Sequence, residues 1–246
     1  MNLFFGKKRA DSDYHFANVV QDIHSHILPG LDDGSPDITA SLELIKALSD
    51  AGINRLICTP HIIADIYRNT PEKVNAALKK LKEACALNGL HTNITAGAEY
   101  MLDDHFMELL RTKQPLLTLS KNYILTELSY ATQPNNLEQI AFEININNYQ
   151  ALMAHPERYF YYHGDYKMYY RLKELGFFLQ VNLLSLTGHY GKNVTKAARF
   201  LFKNNLVDFV GSDIHHIGHI NILTNSRNRE TIEKCLGDRI YNEFLG

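Results

Sequence analysis

The stretch Asp22-Ile23-His24-Ser25-His26, preceded by Asn18-Val19-Val20-Gln21 and followed by Asp32-Asp33-Gly34, decides how the rest of the chain is read. Residues 18–23 read as a strand with β-branched members, and two imidazoles at i and i+2 at its end fall on one side because strand side chains alternate. With the Asp33 carboxylate they make part of a metal-binding set. Imidazole has many other uses, so the pair alone is a weak signal. It gains weight only if more His, Asp and Glu recur at other strand ends.

Outward from this stretch, Asp37 to Ala51 carries Ile38, Leu42, Ile45 and Leu48 at helical spacing and closes at Gly52. Arg55 to Cys58 reads as a strand ended by Thr59-Pro60-His61, and Thr70 with Pro71 opens a helix reaching Asn88-Gly89. Asn93 to Ala96, followed by Gly97-Ala98-Glu99, is a strand; so, after a mixed segment, is Tyr123 to Thr126 with Glu127 behind it. Leu137 to Asn147 reads as a helix, Ala151 to Ala154 as a strand ending in His155-Pro156-Glu157-Arg158, and Tyr166 to Leu175 as a helix closed by Gly176. Phe177 to Val181 and Leu206 to Val210 finish the strands, the second running into Gly211-Ser212-Asp213-Ile214-His215. Alternating strands and helices imply a parallel α/β sheet, and about seven such units without a break imply a barrel or near-barrel of TIM type. Functional residues of such folds sit at the carboxyl ends of the strands. One domain over residues 18–246 is expected, behind an N-terminal tail, 1–17. The aromatic run Tyr159-Phe160-Tyr161-Tyr162-His163 is either a pocket wall or a loop packed on its neighbours.

A chain of 246 residues, 45% hydrophobic and 21% charged, suits one large soluble core. Its net charge of -2 leaves no basic footprint for nucleic acid or acidic membranes. Three distant cysteines, Cys58, Cys85 and Cys235, indicate neither a disulfide framework nor a thiolate zinc site, and a cytoplasmic location fits them. No apolar run reaches the roughly 18 to 20 residues of a membrane helix. The order of Met1-Asn2-Leu3-Phe4-Phe5-Gly6-Lys7-Lys8-Arg9 is the reverse of a signal peptide; Phe4 and Phe5 could touch a membrane surface or pack locally.

Reading only the strand ends gives His24, His26, Asp33, His61, Glu99, Glu127, His155, Asp213 and His215. All are potential metal ligands. Gathering five imidazoles and four carboxylates at one rim without a metal would be severely penalised by repulsion and desolvation. Mixed imidazole and carboxylate donors without thiolate suit Mn, Fe, Zn or Co, with Mg less suited. Nine ligands exceed the needs of one ion, and three divalent ions would use them all.

Taken in order, His24-Ser25-His26, Asp32-Asp33-Gly34, Thr59-Pro60-His61, Gly97-Ala98-Glu99, Thr126-Glu127, Ala154-His155-Pro156-Glu157-Arg158 and Ser212-Asp213-Ile214-His215 resemble the motifs of the polymerase and histidinol phosphatase (PHP) superfamily. Within it they are most similar to the bacterial metal-dependent protein-tyrosine phosphatases associated with capsule and exopolysaccharide synthesis. The resemblance implies a distorted (β/α)7 PHP barrel with a trinuclear centre. His24, His26, Glu99 and Asp213 would hold one ion; Glu99 would bridge to a second shared with Glu127 and His155; Asp33, His61 and His215 would hold the third. Arg158 matches the family's phosphate-binding arginine, and Asp213 or His215 could protonate the leaving group. The implied partners are phosphotyrosine proteins, among them a tyrosine kinase of polysaccharide synthesis.

Phosphate monoesters hydrolyse extremely slowly unaided, so a catalyst must neutralise their oxygens and supply hydroxide near neutral pH, which clustered divalent metals do. Asp22 and Asp32 are candidate acceptors for ligand imidazole N–H groups, with capping or turn roles as the equal alternative. One departure stands out: after Asp213-Ile214-His215 the resembling phosphatases carry an arginine followed by prolines, where this chain has His216-Ile217-Gly218-His219. His216 and His219 are either partial substitutes or, as the favoured reading, surface histidines; Arg227, Arg229 and Arg239 are further candidates. A small-molecule phosphatase of histidinol-phosphate type, an amidohydrolase and a non-catalytic PHP module are the competing readings; the amidohydrolases' strand-four lysine is missing from Leu125-Thr126-Glu127.

Overall fold

In the computed structural model of the protein, which describes Phe16 and residues 18–243, short parallel strands alternate with helices. Helix α1, Ile38–Asp50, begins where the Asp37 carboxylate accepts the Ala40 N–H at 2.9 Å. Helix α2, Pro71–Leu87, begins behind Thr70, whose hydroxyl accepts the Lys73 N–H, with Pro71 in the first turn where its missing N–H costs nothing. The strands are β1, Arg55–Cys58; β2, His61–Ile62; β3, Asn93–Ala96; β4, Glu99–Met101; β5, Tyr123–Glu127; β6, Gln150–Ala154; β7, Phe178–Asn182; and β8, Phe209–Gly211. Helices α3, Asp104–Arg111; α4, Leu137–Ile146; α5, Lys167–Glu174; α6, Lys192–Lys203; α7, Ile217–Thr224; and α8, Ser226–Leu236 complete the set.

All strand pairs are parallel: β1 with β3, and β2-β4-β5-β6-β7-β8 in that order. The first sheet leads into the second. Pro60 has no N–H to give a ladder, yet the Gly97 N–H donates to Cys58 O at 2.9 Å and the Glu99 N–H to Pro60 O at 3.0 Å across the interruption.

The expected strand over 18–23 is not continuous. Residues 19–25 make only isolated parallel bridges, Val19 to Tyr241, Asp22 to Leu56 and Ser25 to Ile214. The cause lies in side chains: the His24 N–H goes to the Asp22 carboxylate and the Ser25 N–H to the distant Thr59 hydroxyl, and both take donors a ladder would need. The segment still bonds on both flanks. Asp22 N–H donates to Arg55 O at 2.9 Å on one side, and Asp213 N–H donates to His24 O at 2.7 Å on the other. Among the described residues, strand pairing forms two parallel sheets and does not close them into one.

Alternation along the strands separates two cores. Ile23, Ile57, Leu125, Leu152, Ala154 and Phe209 form a small inner cluster, with Tyr123 and Phe178 against it, while the other side chains pack under the helices in a larger one. Continuing the inner series by twos leads from Leu125 to Glu127 and from Phe178 to Gln180 and Asn182. The inner face is therefore apolar at its base and polar at the carboxyl ends of the strands. The expected tail, 1–17, lies outside the described residues except for Phe16, which is buried; Phe4 and Phe5 lie outside them too. No helix of the described residues is long and apolar enough to cross a membrane.

Candidate metal centre

The fold brings all nine expected residues together. His24 and His26 come from the bridging segment, Asp33 from the loop before α1, His61 and Glu99 open β2 and β4, Glu127 ends β5, and His155 follows β6. Asp213 and His215 follow β8. Their donor atoms form four overlapping groups, each with atoms within 4.8 Å of one another: His26, Asp33, His61 and His215; His24, His26 and Asp213; His24, Glu99 and His155; and His61, Glu99 and Glu127. His155 and Asp213 hold left-handed backbone conformations, φ 36° and 53°, uncommon for residues with a side chain and typical of functional sites.

Glu99 is central. Its Oε1 lies 3.0 Å from His155 Nε2, and its Oε2 lies 3.2 Å from His24 Nε2, 3.5 Å from His26 Nε2 and 3.0 Å from His61 Nδ1. Glu127, expected beside His155, instead approaches His61 Nδ1 at 2.9 Å. His61 Nδ1, Glu99 Oε2 and Glu127 Oε1 are buried and close but not aligned as hydrogen bonds. Donor atoms that crowd without hydrogen-bond alignment are what a shared cation requires.

The imidazoles tell the same story. His26 Nδ1 donates to Asp32 Oδ2 at 2.8 Å, His215 Nδ1 to Asp213 O at 3.0 Å, and His24 Nδ1 to Gln180 Oε1 at 2.8 Å. Each bond consumes the Nδ1 hydrogen and leaves an Nε2 lone pair on the neutral ring. His24 Nε2 and His26 Nε2 then face each other at 3.3 Å, so a cation, either proton or metal, must lie between them. Asp32 takes the imidazole-acceptor role, while Asp22 takes the alternative, a turn role. It accepts from the Ser212 hydroxyl, the Ser212 N–H and the His24 N–H, tying the backbones together, while Gln180 serves the His24 ring.

Charges follow from this crowding. Burial opposes a charge on His61, but Glu99 and Glu127 outweigh it and raise its pKa to about 10; His24 and His26 are raised by neighbouring carboxylates in the same way. Burial pushes His155 down to about 4 and, with Glu99 beside it, pushes Glu127 up. Despite burial, the surrounding imidazoles hold Glu99 and Asp213 well below the carboxylate range. Protons on histidines thus balance these carboxylates, and divalent ions would replace them. Five imidazoles and four carboxylates without thiolate fit divalent ions of borderline hardness.

A cavity of about 340 Å³ opens onto the centre, lined by Asp33, His61, His155, Arg158, Asp213 and His215 with Tyr130, Tyr190, His216 and His219. Arg158 Nη1 donates to Asp213 Oδ2 at 2.6 Å, and its guanidinium lies 5.0 Å from the Tyr130 ring centre and 4.3 Å from that of Tyr190. Sequence reasoning missed both tyrosines; nothing in their spacing marks them. The Tyr159-Tyr162 run is a packed loop: Tyr159 is buried, accepting the Leu128 N–H and donating to Ala154 O. Of the candidate substitutes for the missing arginine, only His216 and His219 line this cavity. Arg239 instead donates to Val207 O at 2.7 Å. His219 is not the surface histidine expected but is 8% exposed; its Nδ1 accepts the His215 N–H at 3.3 Å, and burial holds its pKa down to about 4. Its ring is neutral with the hydrogen on Nε2.

A parallel α/β scaffold carrying, at the carboxyl ends of its strands, a histidine-carboxylate cluster able to hold divalent ions defines the class of protein. The chain belongs to the CpsB/CapC family of capsular polysaccharide synthesis, whose profile matches residues 20–245. It is 32% identical over 196 residues to the tyrosine-protein phosphatase YwqE of Bacillus subtilis, covering 80% of this chain and 77% of that one. It is 30% identical over 196 residues to the putative tyrosine-protein phosphatase CapC of Staphylococcus aureus, with the same coverage. Crystal structures described as YwqE from Bacillus subtilis and CpsB from Streptococcus pneumoniae, unique metal-dependent tyrosine phosphatases, include a match at TM-score 0.79 and 31% identity over 88% of this chain and 86% of that one. A lactonase of Listeria monocytogenes, at TM-score 0.53 and 11% identity over 96% and 95% of the chains, shares the fold alone. The resemblance read from the motifs is borne out.

Proposed function

We propose that the protein is a metal-dependent phosphomonoester hydrolase acting on phosphotyrosine in proteins, in the context of capsule or exopolysaccharide synthesis. The observation that carries this reading is the convergence of nine donor residues beside a cavity that Arg158 enters. The names of its relatives favour phosphotyrosine over histidinol phosphate, and retention of all nine donors speaks against a non-catalytic module.

We read the fold as a distorted seven-stranded barrel in which residues 22–26 take the place between β1 and β8, as their hydrogen bonds to both flanks suggest. Three divalent ions, Mn foremost, are assigned to His24, His26, Asp33, His61, Glu99, Glu127, His155, Asp213 and His215. Glu99 would serve more than one of these ions, since its two oxygens face different imidazoles. When bound, such ions neutralise phosphoryl oxygens and make a water acidic enough to attack near neutral pH.

The remaining chemistry belongs to the chain. The planar guanidinium of Arg158 suits phosphoryl oxygens, and Tyr130 and Tyr190 keep it turned toward the cavity. Asp213 has no proton to give: Oδ2 accepts from Arg158 and Asn182, and Oδ1 faces His24 and His26. That narrows the expected role of Asp213 to an acceptor, and His215, whose Nδ1 hydrogen is committed to Asp213 O while Nε2 serves as a ligand, holds no proton ready for the leaving group either. A phenolate, with a parent pKa of about 10, leaves with little help in any case. His219 offers a neutral N–H to the substrate. A tyrosine kinase of polysaccharide synthesis and a cytoplasmic setting complete the proposal.

The test is a side-by-side assay of Mn-loaded protein on phosphotyrosine peptide, histidinol phosphate and a phosphodiester, with bound metal counted by elemental analysis. Rapid release from the peptide, abolished by His26→Ala and by Glu99→Ala in folded protein, is the expected result. Undiminished activity in both variants would refute it.

A further inference from the structure

Asp213, Asn182, Gln180 and His24 form a hydrogen-bonded row across the inner face. Asn182 Nδ2 donates to Asp213 Oδ2 at 2.7 Å, Gln180 Nε2 donates to Asn182 Oδ1 at 2.9 Å, and Gln180 Oε1 accepts from His24 Nδ1 at 2.8 Å. All four side chains are buried.

Donor and acceptor bookkeeping gives the row a direction. Asp213 Oδ2 also receives Arg158 Nη1 at 2.6 Å, and a carboxylate oxygen paired with a guanidinium accepts, so Asn182 must present its NH2 to it and its oxygen to Gln180. Gln180 must then turn its own NH2 toward Asn182 and its oxygen toward His24. That oxygen admits only an N–H on Nδ1, which leaves the Nε2 lone pair facing His26, Glu99 and Asp213. For His26 and His215 the same outcome is imposed by a carboxylate and a backbone carbonyl, neither of which can be reversed. His24 alone leans on an amide, whose two ends are interchangeable until something else fixes them.

We propose that Gln180 and Asn182 are positioning residues: they transmit the acceptor character of Asp213 to His24, fixing its tautomer, while holding the Asp213 carboxylate in place. The proposal rests on the metal-centre reading above.

Two features argue that the row is built for this purpose. Gln180 and Asn182 continue the inner face of β7 above apolar Phe178, where two buried amides cost stability unless fully bonded. Gly211 of β8 makes room for Gln180 and His24. A Cβ there would stand 2.6 Å from His24 Cβ and 2.9 Å from Gln180 Nε2, so only glycine lets β8 pass this close.

The deciding measurement is the tautomer of His24, read by 15N NMR on metal-free, histidine-labelled protein at alkaline pH, its signal assigned by its loss in His24→Asn. Gln180→Met, close in shape but without acceptor or donor, is expected to abolish the preference for hydrogen on Nδ1. Asn182→Ala is expected to scramble it by freeing the Gln180 amide to turn. Gln180→Glu, which keeps an acceptor beside Nδ1, is expected to restore it. Mn affinity, measured by competition with a chelator, should fall about 10- to 100-fold in the Met and Ala variants. Retention of the Nδ1 hydrogen in either folded variant would overturn the proposal. Absence of Mn binding by the wild-type protein would instead refute the metal-centre reading, leaving the tautomer result to stand alone.

Discussion

Arg158 and Asp213 meet at 2.6 Å through Nη1 and Oδ2, so the one arginine lining the cavity is bonded to a member of the donor cluster. Asp213 therefore carries two kinds of information: its Oδ1 faces His24 and His26, while its Oδ2 orients a cation that the substrate can also use.

This arrangement separates charge from shape. Arg158→Ala should lower kcat/KM on an aryl phosphate about 100- to 1000-fold, the usual loss for one well-placed donor to developing charge. Arg158→Lys keeps the charge without the fork and should fall between. Bound Mn should stay near the wild-type amount in both, because Asn182 still holds Asp213 Oδ2 at 2.7 Å. Parallel kinetics and elemental analysis check this; metal loss matching activity loss would contradict it.

The donor residues should not contribute equally. Glu99 is buried and serves four imidazoles with two oxygens, whereas the Asp33 side chain is 54% exposed and approaches His61 and His215 at 3.6 and 3.5 Å. Glu99→Gln should empty most of the centre and lose the Tm gain that Mn confers on wild type, since a ligand stabilises only the state that binds it. Asp33→Asn should lose a fraction of the metal. Metal counts and melting curves with and without chelator decide the order.

Much of this centre was legible beforehand because each member ends a local pattern. His-x-His closes a β-branched run, Glu127 follows Tyr123 to Thr126, and His155 follows Ala151 to Ala154. Thr70 with Pro71 likewise marked the start of α2, and apolar spacing from Ile38 marked α1. What escaped depends on contacts distant in sequence. Whether residues 18–23 make a ladder depends on where the Asp22 and Thr59 side chains land. Tyr130 and Tyr190 become cavity walls only when Arg158 is placed between them. The helices α6, α7 and α8 went unassigned between and after the last strands, and α3 was hidden in a short mixed segment although Asp103 caps it. One signal was available and unused: Gln180-Val181-Asn182 sets two polar residues two apart in an otherwise apolar strand, an inward polar pair that needs a reason.

Metal uptake should release protons. His61, raised to about 10, is protonated at neutral pH in the metal-free protein and must lose that proton to act as a ligand. Apparent Mn affinity should therefore climb as pH rises from neutrality toward 10 and level off above it. Calorimetry in buffers of different ionisation enthalpy would count the protons; a buffer-independent heat at neutral pH would exclude the effect.

His219 should contribute to substrate binding as a neutral donor. Asparagine reproduces the acceptor at Nδ1 that serves the His215 N–H, and glutamine reproduces the donor at Nε2, so the two variants divide the ring's roles. His219→Asn is expected to raise KM several-fold with kcat nearly unchanged, and His219→Gln to restore KM. Equal KM values in wild type and both variants would assign His219 to packing alone.

Glu157 gives a stability prediction separate from catalysis. Its carboxyl is buried, accepts the Asn182 N–H at 2.9 Å and the Ser185 hydroxyl at 2.6 Å through Oε1, and leaves Oε2 without a partner. Burial outweighs those donors and raises its pKa from 4.5 to about 7. A raised carboxyl pKa means the folded state favours the protonated form. Below the unfolded value of 4.5 both states are protonated and nothing is lost; between 4.5 and about 7 the unfolded chain ionises first and stability falls; above about 7 the loss is complete. The full effect is on the order of 3 kcal/mol, at about 1.4 kcal/mol per pKa unit. Glu157→Gln mimics the protonated form, so its Tm should exceed that of wild type at alkaline pH and match it in acid, both proteins being treated with chelator. A Tm difference that does not change with pH would mean that Glu157 is already ionised in the folded protein, its charge met by Arg158 and the two donors at Oε1.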